Sequence, residues 1–222
     1  EKAGFSSDKI SLEHVAYGTM MGKDGRPFKT RSGDTIKLVE LLDEAVKRAF
    51  YLVSEKNPTL DEAKRHEIAK EVGISAVKYS DLSKNRTSDY VFDWASMLSF
   101  EGNTAPYLLY AYARIKSIIR KSTNPTASYN IESCNELEER NLLVKLLQYP
   151  EIVYAVVSDS YPNHLCNYLY ELAGLFMRFY EACPILKEDA AIRYSRLAIC
   201  VLTADTLKQG LDLLGINTLE QM

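Results

Sequence analysis

Apolar residues spaced three and four apart dominate this chain, and they predict a mainly α-helical protein. In the stretch Phe100–Lys121, FEGNTAPYLLYAYARIKSIIRK, the residues Tyr107, Leu108, Ala111, Ile115, Ile118 and Ile119 form one apolar face. Gly102, Asn103 and Thr104 supply its turn and N-cap, Pro106 fits a first helical turn, and Arg120 and Lys121 meet the negative end of the helix dipole. Upstream, Leu38–Glu55 carries Leu41, Leu42, Ala45, Val46, Ala49, Phe50 and Val53 on one side and ends at Asn57-Pro58. Thr59 and Glu62 make a capping box for a second helix that Gly73 stops, and Ile74–Leu82 reads as a short further helix. Downstream, Ser133 and Glu136 box the start of a helix carrying Leu142, Leu143, Leu146 and Leu147. Pro150 begins another over Ile152–Val157, and Pro162 a third that contains Leu165, Leu169, Leu172, Leu175, Phe176 and Tyr180. The last long helix is expected over Asp189–Leu214, ended by Gly215.

Two stretches depart from the helical period. Ser11–Met21 mixes β-branched, aromatic and small residues and reads as a strand. In Asp89–Trp94 the rings of Tyr90, Phe92 and Trp94 alternate with smaller or polar residues, which predicts a short strand buried on one face. Strand signals disappear after Phe100. A domain boundary is therefore expected near Ser99, with a mixed α/β segment over 1–99 and an all-α bundle over 100–222.

Charge adds a direction to this outline. The net charge of −3 argues against nucleic-acid binding by the whole surface but permits a local basic track. Tyr110 and Arg114 stand four apart on the Phe100–Lys121 helix, so a ring and a cation are neighbours there, the combination that single-stranded nucleic acid uses for stacking and phosphate contact. The competing reading of that helix is a buried tyrosine stripe with a solvated charged face. A second basic feature is MGKDGRPFKTRSGDT, Met21–Thr35, where Gly22, Gly25, Gly33 and Pro27 forbid regular structure. Lys23, Arg26, Lys29 and Arg31 crowd cations into it, and exposed N–H groups beside cations can cradle phosphate; the alternative is a solvated basic hairpin. No P-loop pattern is present.

Other chemistry is thin. Cys134, Cys166, Cys183 and Cys200 lie far apart, which suggests reduced, packed thiols of a cytoplasmic protein. His14, His66 and His164 lack companions at metal-ligand spacing, so no metal site is expected. No apolar run reaches the ~18–20 residues of a membrane span. The chain starts at Glu1 rather than Met, which suggests a piece of something longer.

Five segments, in order, resemble the C-terminal half of an arginyl-tRNA synthetase. They are GKDGRPFKTRSGDTIKL (Gly22–Leu38), VGISAVKYSDLSKNRTSDYVFDW (Val72–Trp94), FEGNTAPYLLYAYAR (Phe100–Arg114), YLYELAGLFMRFYEACPIL (Tyr168–Leu186) and LLGINTLEQM (Leu213–Met222). The resemblance implies the α/β tail of a class I synthetase catalytic domain followed by a helical, DALR-type anticodon-binding domain. It implies ATP with Mg2+, arginine and tRNA(Arg) as partners, no membrane, a monomer, and the cytoplasm as location. The basic loop is similar to the family's KMSKS signature, whose cations stabilise diphosphate as the amino-acid carboxylate attacks ATP. By that likeness Lys29 and Arg31 are the candidate catalytic residues, and Lys23, Lys29, Thr30 and Arg31 the candidate ATP ligands; Thr30 stands where the second signature lysine would lie. In the bundle, Tyr110, Arg114, Tyr180 and Met222 match positions that meet the anticodon loop. Tyr180 equally continues an apolar helical stripe, while Tyr107 and Tyr112 are assigned to core or rim. No H-x-G-H motif occurs, so the remainder of the catalytic fold is expected upstream and the chain alone is not expected to aminoacylate. The rival from another class is a helical protein-interaction module whose tyrosines line a partner groove.

Overall fold

The computed structural model describes residues 10, 12–27, 37–122 and 130–222. Helix follows helix through most of that length. The first pair is α1 (Leu38–Lys56) and α2 (Glu62–Leu82). Leu41, Ala45, Ala49 and Val53, one turn apart on α1, are buried against Ile68, Ala69, Val72, Gly73 and Ala76 of α2. Gly73 does not end its helix, contrary to the expectation from sequence. A Cβ there would lie 2.7 Å from the Val46 nitrogen and 2.8 Å from the Ala45 carbonyl, so glycine is required by the closeness of the two backbones. The expected Thr59–Glu62 box is also replaced. Asp61 caps α2, accepting from the Lys64 N–H at 2.8 Å, because a turn that joins the Leu60 N–H to the Asn57 carbonyl shifts the helix start past Thr59.

Among the described residues, paired strands are confined to β1 (Met20–Met21) and β2 (Tyr90–Val91), parallel, with Met20 opposite Tyr90 and Met21 opposite Val91. The strand expected over Ser11–Met21 shrinks to its last two residues, since residues 12–19 find no partner strand among the described residues. They are pinned instead by polar contacts: Arg86 Nη1 donates to the Ala16 carbonyl at 2.6 Å, and Gly18 N–H donates to the Arg86 carbonyl at 2.6 Å. Arg86 also donates from Nε to the Ser160 carbonyl at 2.7 Å and lies 4.5 Å from the Tyr161 ring centroid. The Asp89–Trp94 strand likewise shortens, because Asp93 caps the brief α3 (Trp94–Met97) by accepting from the Ser96 N–H at 2.9 Å. Of its three rings Phe92 is buried, whereas Tyr90 and Trp94 are half-buried.

The central helix is α4 (Ala105–Arg120), with Thr104 Oγ1 accepting from the Tyr107 N–H at 3.3 Å and Pro106 in the first turn. Its Leu108, Leu109, Ala111, Tyr112, Ile115 and Ile118 are buried, and it touches α2 on one side and α7 (Asn163–Ala182) and α8 (Ala190–Leu213) on the other. One continuous apolar core therefore runs from Leu41 to Leu219, across residue 99. The bundle is completed by α5 (Leu137–Leu147) and α6 (Tyr149–Asp159), the latter ending at Ser160 with φ 56°. The predicted Ser133 cap of α5 is not formed: the N–H groups of Glu132 and Ser133 donate to Ser195 Oγ, and the Glu139 carboxylate accepts from the N–H of Asn135 and Glu136. Burial would raise the Glu139 pKa, but those N–H groups and Arg196, whose Nε lies 2.6 Å from Glu139 Oε1, hold it below the usual range. Gly215, at φ 68°, closes α8 with the Ile216 N–H donating to the Leu211 carbonyl at 2.9 Å.

The α1–α2 crossing yields a test. Alanine is the better helix former by about 1 kcal/mol, yet Gly73→Ala is expected to destabilise the protein by about 1–3 kcal/mol through backbone overpacking. Thermal melting reads the outcome; an unchanged or raised Tm would mean that the hairpin opens at no cost.

Candidate nucleic-acid interface

Helical spacing builds the site. Tyr110, Arg114, Ser117 and Lys121 recur at steps of four and three, so they follow one edge of α4 and its C-cap while the opposite face is buried. Tyr180 arrives from the last turn of α7, and Gln221 and Met222 from the tail after α8. Together with Ala113, Ile118 and Arg120 these residues line one cavity of about 560 Å³. The four residues singled out from the sequence, Tyr110, Arg114, Tyr180 and Met222, are all in its wall.

Arg114 is the fixed point of the cavity. Its guanidinium carbon lies 4.8 Å from the Tyr110 ring centroid and 5.2 Å from that of Tyr180. Nη2 donates to the Tyr110 hydroxyl, and Nη1 approaches Met177 Sδ at 3.9 Å. A guanidinium carries five N–H groups, so donors remain for an anion or a base edge, and the ring contacts contribute about 0.5–2 kcal/mol to holding the group in place. Tyr180 keeps 40% of its surface exposed although its ring is stacked on Phe176 at 6.3 Å. The apolar stripe of α7 thus stops short of it. Tyr112, at 3% exposure, is core, and Tyr107 is half-buried with its edge against Tyr170.

The tail is held by a residue that the sequence reading passed over. Glu220 Oε1 accepts from the Tyr112 hydroxyl at 3.2 Å and lies 3.4 Å from Lys116 Nζ. Arg120 Nη1 donates to the Glu220 carbonyl at 2.9 Å and lies 3.5 Å from Oε2. Three side chains of α4 thereby place Met222 at the cavity. The unused local signal was the 117 and 121 continuation of the Tyr110–Arg114 edge; the Glu220 anchor has no local signal at all.

The second basic feature is described only up to Pro27. Gly22 N–H donates to the Arg26 carbonyl at 2.7 Å, making a tight turn with Gly25 at φ 71°. Lys23 pairs with Asp93, and this ion pair, followed by the Ser96 N–H, lowers the Asp93 carboxyl to about 2. Lys29, Thr30 and Arg31 lie outside the described residues. Among the described residues, no group of three or more His, Cys, Asp or Glu is placed to hold a metal ion, and no helix is long and apolar enough to cross a membrane. The four cysteines are free thiols, three of them buried.

Comparison with known proteins assigns both parts of the chain. A family model of the DALR anticodon binding domain matches residues 108–222, and a model of the catalytic domain of class I (R) tRNA synthetases matches residues 1–94. The arginine–tRNA ligase of Mannheimia succiniciproducens is 58% identical over 224 residues, an alignment that takes in 100% of this chain and 39% of that protein. That of Chromobacterium violaceum is 57% identical over 221 residues, covering 100% and 38%. The solved arginyl-tRNA synthetase of Thermus thermophilus superposes with a TM-score of 0.84 at 32% identity, over 94% of this chain and 35% of that one. The Plasmodium falciparum enzyme superposes with a TM-score of 0.74 at 33% identity, over 84% and 34%. The chain thus spans 38–39% of the length of these two curated relatives.

The anchored tail can be tested without any ligand. Glu220→Ala removes two exposed ion pairs that contribute about 0–1 kcal/mol and the acceptor of the Tyr112 hydroxyl, so Tm should fall by only a few degrees. Carboxypeptidase should nevertheless release Met222 and Gln221 several-fold faster. An unchanged rate of release would mean that Glu220 does not hold the tail.

Proposed function

The chain belongs to the class I arginyl-tRNA synthetase family, and from that membership we propose that it reads tRNA(Arg) and contributes one phosphate-contacting loop to an arginine–tRNA ligase. In the full-length protein the reaction converts ATP, L-arginine and tRNA(Arg) to arginyl-tRNA(Arg), AMP and diphosphate. Residues 1–99 belong to the end of the catalytic domain and 100–222 to the anticodon-binding bundle. The protein works as a monomer, as the family resemblance implies, and in the cytoplasm, a location with which its free thiols agree.

The observation that carries the RNA-reading half is the convergence of Tyr110, Arg114, Tyr180 and Met222 on one cavity. Unpaired bases of the anticodon loop are recognised by stacking and by hydrogen bonds to their edges. The exposed face of Tyr180 and the ring of Tyr110 offer the stacking surface. Arg114, already oriented by both rings, supplies N–H groups to a phosphate or a base edge, and Met222 an apolar contact. The cations Arg120 and Lys121 at the rim attract the backbone before contact.

The activating half rests on the basic loop. By the likeness to the family's signature loop, Lys29 and Arg31, with Lys23 and Thr30, are the residues assigned to the phosphates of ATP, which enters with Mg2+. Their task is to stabilise negative charge that grows on the departing diphosphate as the arginine carboxylate attacks, an electrostatic effect greater in the transition state than in the ground state. Lys23 either leaves Asp93 for this role or positions the turn from within that ion pair.

A protein-docking role is the reading favoured by the exposed Leu147, Tyr154 and Val157 of α5 and α6. Equilibrium binding of a tRNA(Arg) transcript separates the two. Tyr110→Ala is expected to weaken binding about ten- to a hundredfold, the range for losing a stacked base. Arg114→Ala should weaken it too, and should lower the dependence of log K on log salt by about one if its partner is a phosphate. If Tyr110→Ala lowers Tm substantially while Arg114→Ala changes neither stability nor tRNA affinity, α4 is scaffold and the anticodon reading is wrong. For the loop, Lys29→Ala in the full-length enzyme should reduce kcat for adenylate formation with tRNA affinity intact; an unaltered rate would reduce Lys29 to a solvated charge.

A further inference from the structure

Strand register brings Lys23 and Asp93 together. In the parallel pair β1–β2, Met21 lies opposite Val91, so positions 23 and 93 are each two residues beyond the last paired position, at the same end of the ladder. The Lys23 ammonium and the Asp93 carboxylate form an ion pair there. Asp93 is the fixed member. The Phe92 N–H, just before it, donates to the Met21 carbonyl at 2.8 Å, and the buried Phe92 ring stands edge-on to Trp94 with centroids 4.8 Å apart. On its other side the N–H of buried Met97 donates to the Asp93 carbonyl at 3.0 Å, at the start of α3. Asp93 Oδ1 accepts from the Ser96 N–H at 2.9 Å, while Oδ2 meets Lys23. Its own backbone therefore aims this carboxylate at the basic turn.

The turn that carries Lys23 is fixed by other means. Each residue from Lys23 to Pro27 is exposed, so apolar burial does not hold it. Its shape comes from the Gly22–Arg26 and Gly25–Gly22 backbone bonds, from a bridge between Met21 and Pro27, and from Asp24 Oδ1 accepting from the Arg26 N–H at 3.2 Å. Bonds inside a turn set its shape but not its angle to the rest of the molecule. A side chain that reaches from the turn to the cap of α3 sets that angle, and Lys23 is such a side chain. Charge points the same way. Asp93 is lowered to about 2, so it is ionised at neutral pH and cancels the charge of its partner. A lysine that left the pair to meet a polyphosphate would uncover a carboxylate that repels the same anion.

We propose that Asp93 is a positioning residue for the activation step, and that Lys23 serves from within the ion pair as the tether of the basic turn rather than as a ligand of ATP. The proposal rests on the reading of the basic loop as the phosphate-contacting element. Asp93 acts through Lys23, not by contact with substrate. The tether fixes the direction in which the chain leaves Pro27 for the segment whose sequence carries Lys29 and Arg31. Holding a group in its productive direction raises the rate without any new contact to the reacting atoms. The size of the effect is bounded by the pair itself. Lys23 keeps 75% of its side-chain surface exposed against 20% for Asp93. An ion pair of that kind shifts an equilibrium between two directions of the turn by up to about fivefold.

The test is steady-state arginyl-tRNA formation by the full-length enzyme with ATP varied, with tRNA(Arg) binding and Tm measured alongside. Asp93→Asn keeps an oxygen for the Ser96 N–H and removes the charge, and Lys23→Ala removes the other partner. Each should lower kcat about fivefold while KM for ATP stays within about twofold of the parent value and tRNA affinity is unchanged. The double variant should be no slower than either single one, because both break the same contact. Lys23→Arg should recover most of the lost rate when Asp93 is present and none of it in the Asp93→Asn background. Lys23 is exposed, so the split between kcat and KM in Lys23→Ala decides the matter if Asp93→Asn lowers Tm. A raised KM for ATP in Lys23→Ala, or losses that multiply in the double variant, would make Lys23 a phosphate ligand independent of Asp93 and overturn the proposal. Parent-like kcat in both single variants, with Lys29→Ala still slow, would overturn it and leave the loop reading standing. Parent-like kcat in Lys29→Ala as well would overturn both.

Discussion

The hydroxyl of Tyr79 is the point on which the arrangement of the helices turns. It sits on α2, 1% exposed, 2.5 Å from Asn103 Oδ1 and 2.9 Å from the Cys166 carbonyl, so one proton is shared between the loop before α4 and the start of α7. Asn103 passes the connection on, donating from Nδ2 to Asn167 Oδ1 at 3.0 Å. Burial pushes the Tyr79 pKa far above its ordinary value, which keeps the hydroxyl neutral and able to donate. Removing that hydroxyl would take away a net contribution of about 0.5–1.5 kcal/mol for a hydrogen bond of this kind and open a gap in the core around Tyr79. The neighbouring residue, Thr104, caps α4, and Tyr110 lies six residues further on, about 9 Å along the axis. The Tyr79 hydroxyl therefore ties α2 to the loop from which α4, and with it the Tyr110 wall of the cavity, begins.

Two kinds of contact divide the work around the Arg114 cavity. Apolar burial along one side of α4 locates the helix without specifying anything about its opposite edge. On that edge the order comes from cation–ring contacts around Arg114 and from the ions gathered on Glu220. Such contacts are weak one by one and partly exposed. Tyr110 is restrained by Arg114 on its own helix, while Met222 reaches the same cavity from the far end of the chain.

Local pattern was a good guide wherever a feature had a local cause. The apolar stripes of α1, α4, α7 and α8 and the glycine that closes α8 depend on neighbours within a turn or two, and they stand where periodicity put them. Gly73 misled because a glycine in a helical pattern has two readings, a stop or a close approach, and only the Ala45–Val46 backbone distinguishes them. The residues before Met20 look like strand, but a strand needs a partner, and the partner is not encoded in the stretch itself. Thr59 and Asp61 were both available as caps; the turn at Asn57 chose between them. At the Arg114 cavity, the contact of Tyr110 with Arg114 was legible from their spacing. Tyr180 was not separable from its stripe, and Met222 came from family resemblance alone. Glu220 bonds a tyrosine 108 positions away, a relation that no window along the chain contains.

Arg86 carries a consequence for any attempt to recombine this protein. One guanidinium joins the carbonyl of Ser160, at the corner between α6 and α7, to the carbonyl of Ala16, four residues ahead of β1 and the basic turn. Lysine could not span the two, since it presents a single point charge rather than a planar fork. A chimaera that took residues 100–222 from one relative and 1–99 from another would thus inherit its joint from both parents. It would need the arginine from one, and from the other a left-handed corner that turns its carbonyl outward with a tyrosine beside it. Crossover near residue 99 looks clean on a sequence diagram, but viable hybrids should be sought among parents that agree at 86, 160 and 161.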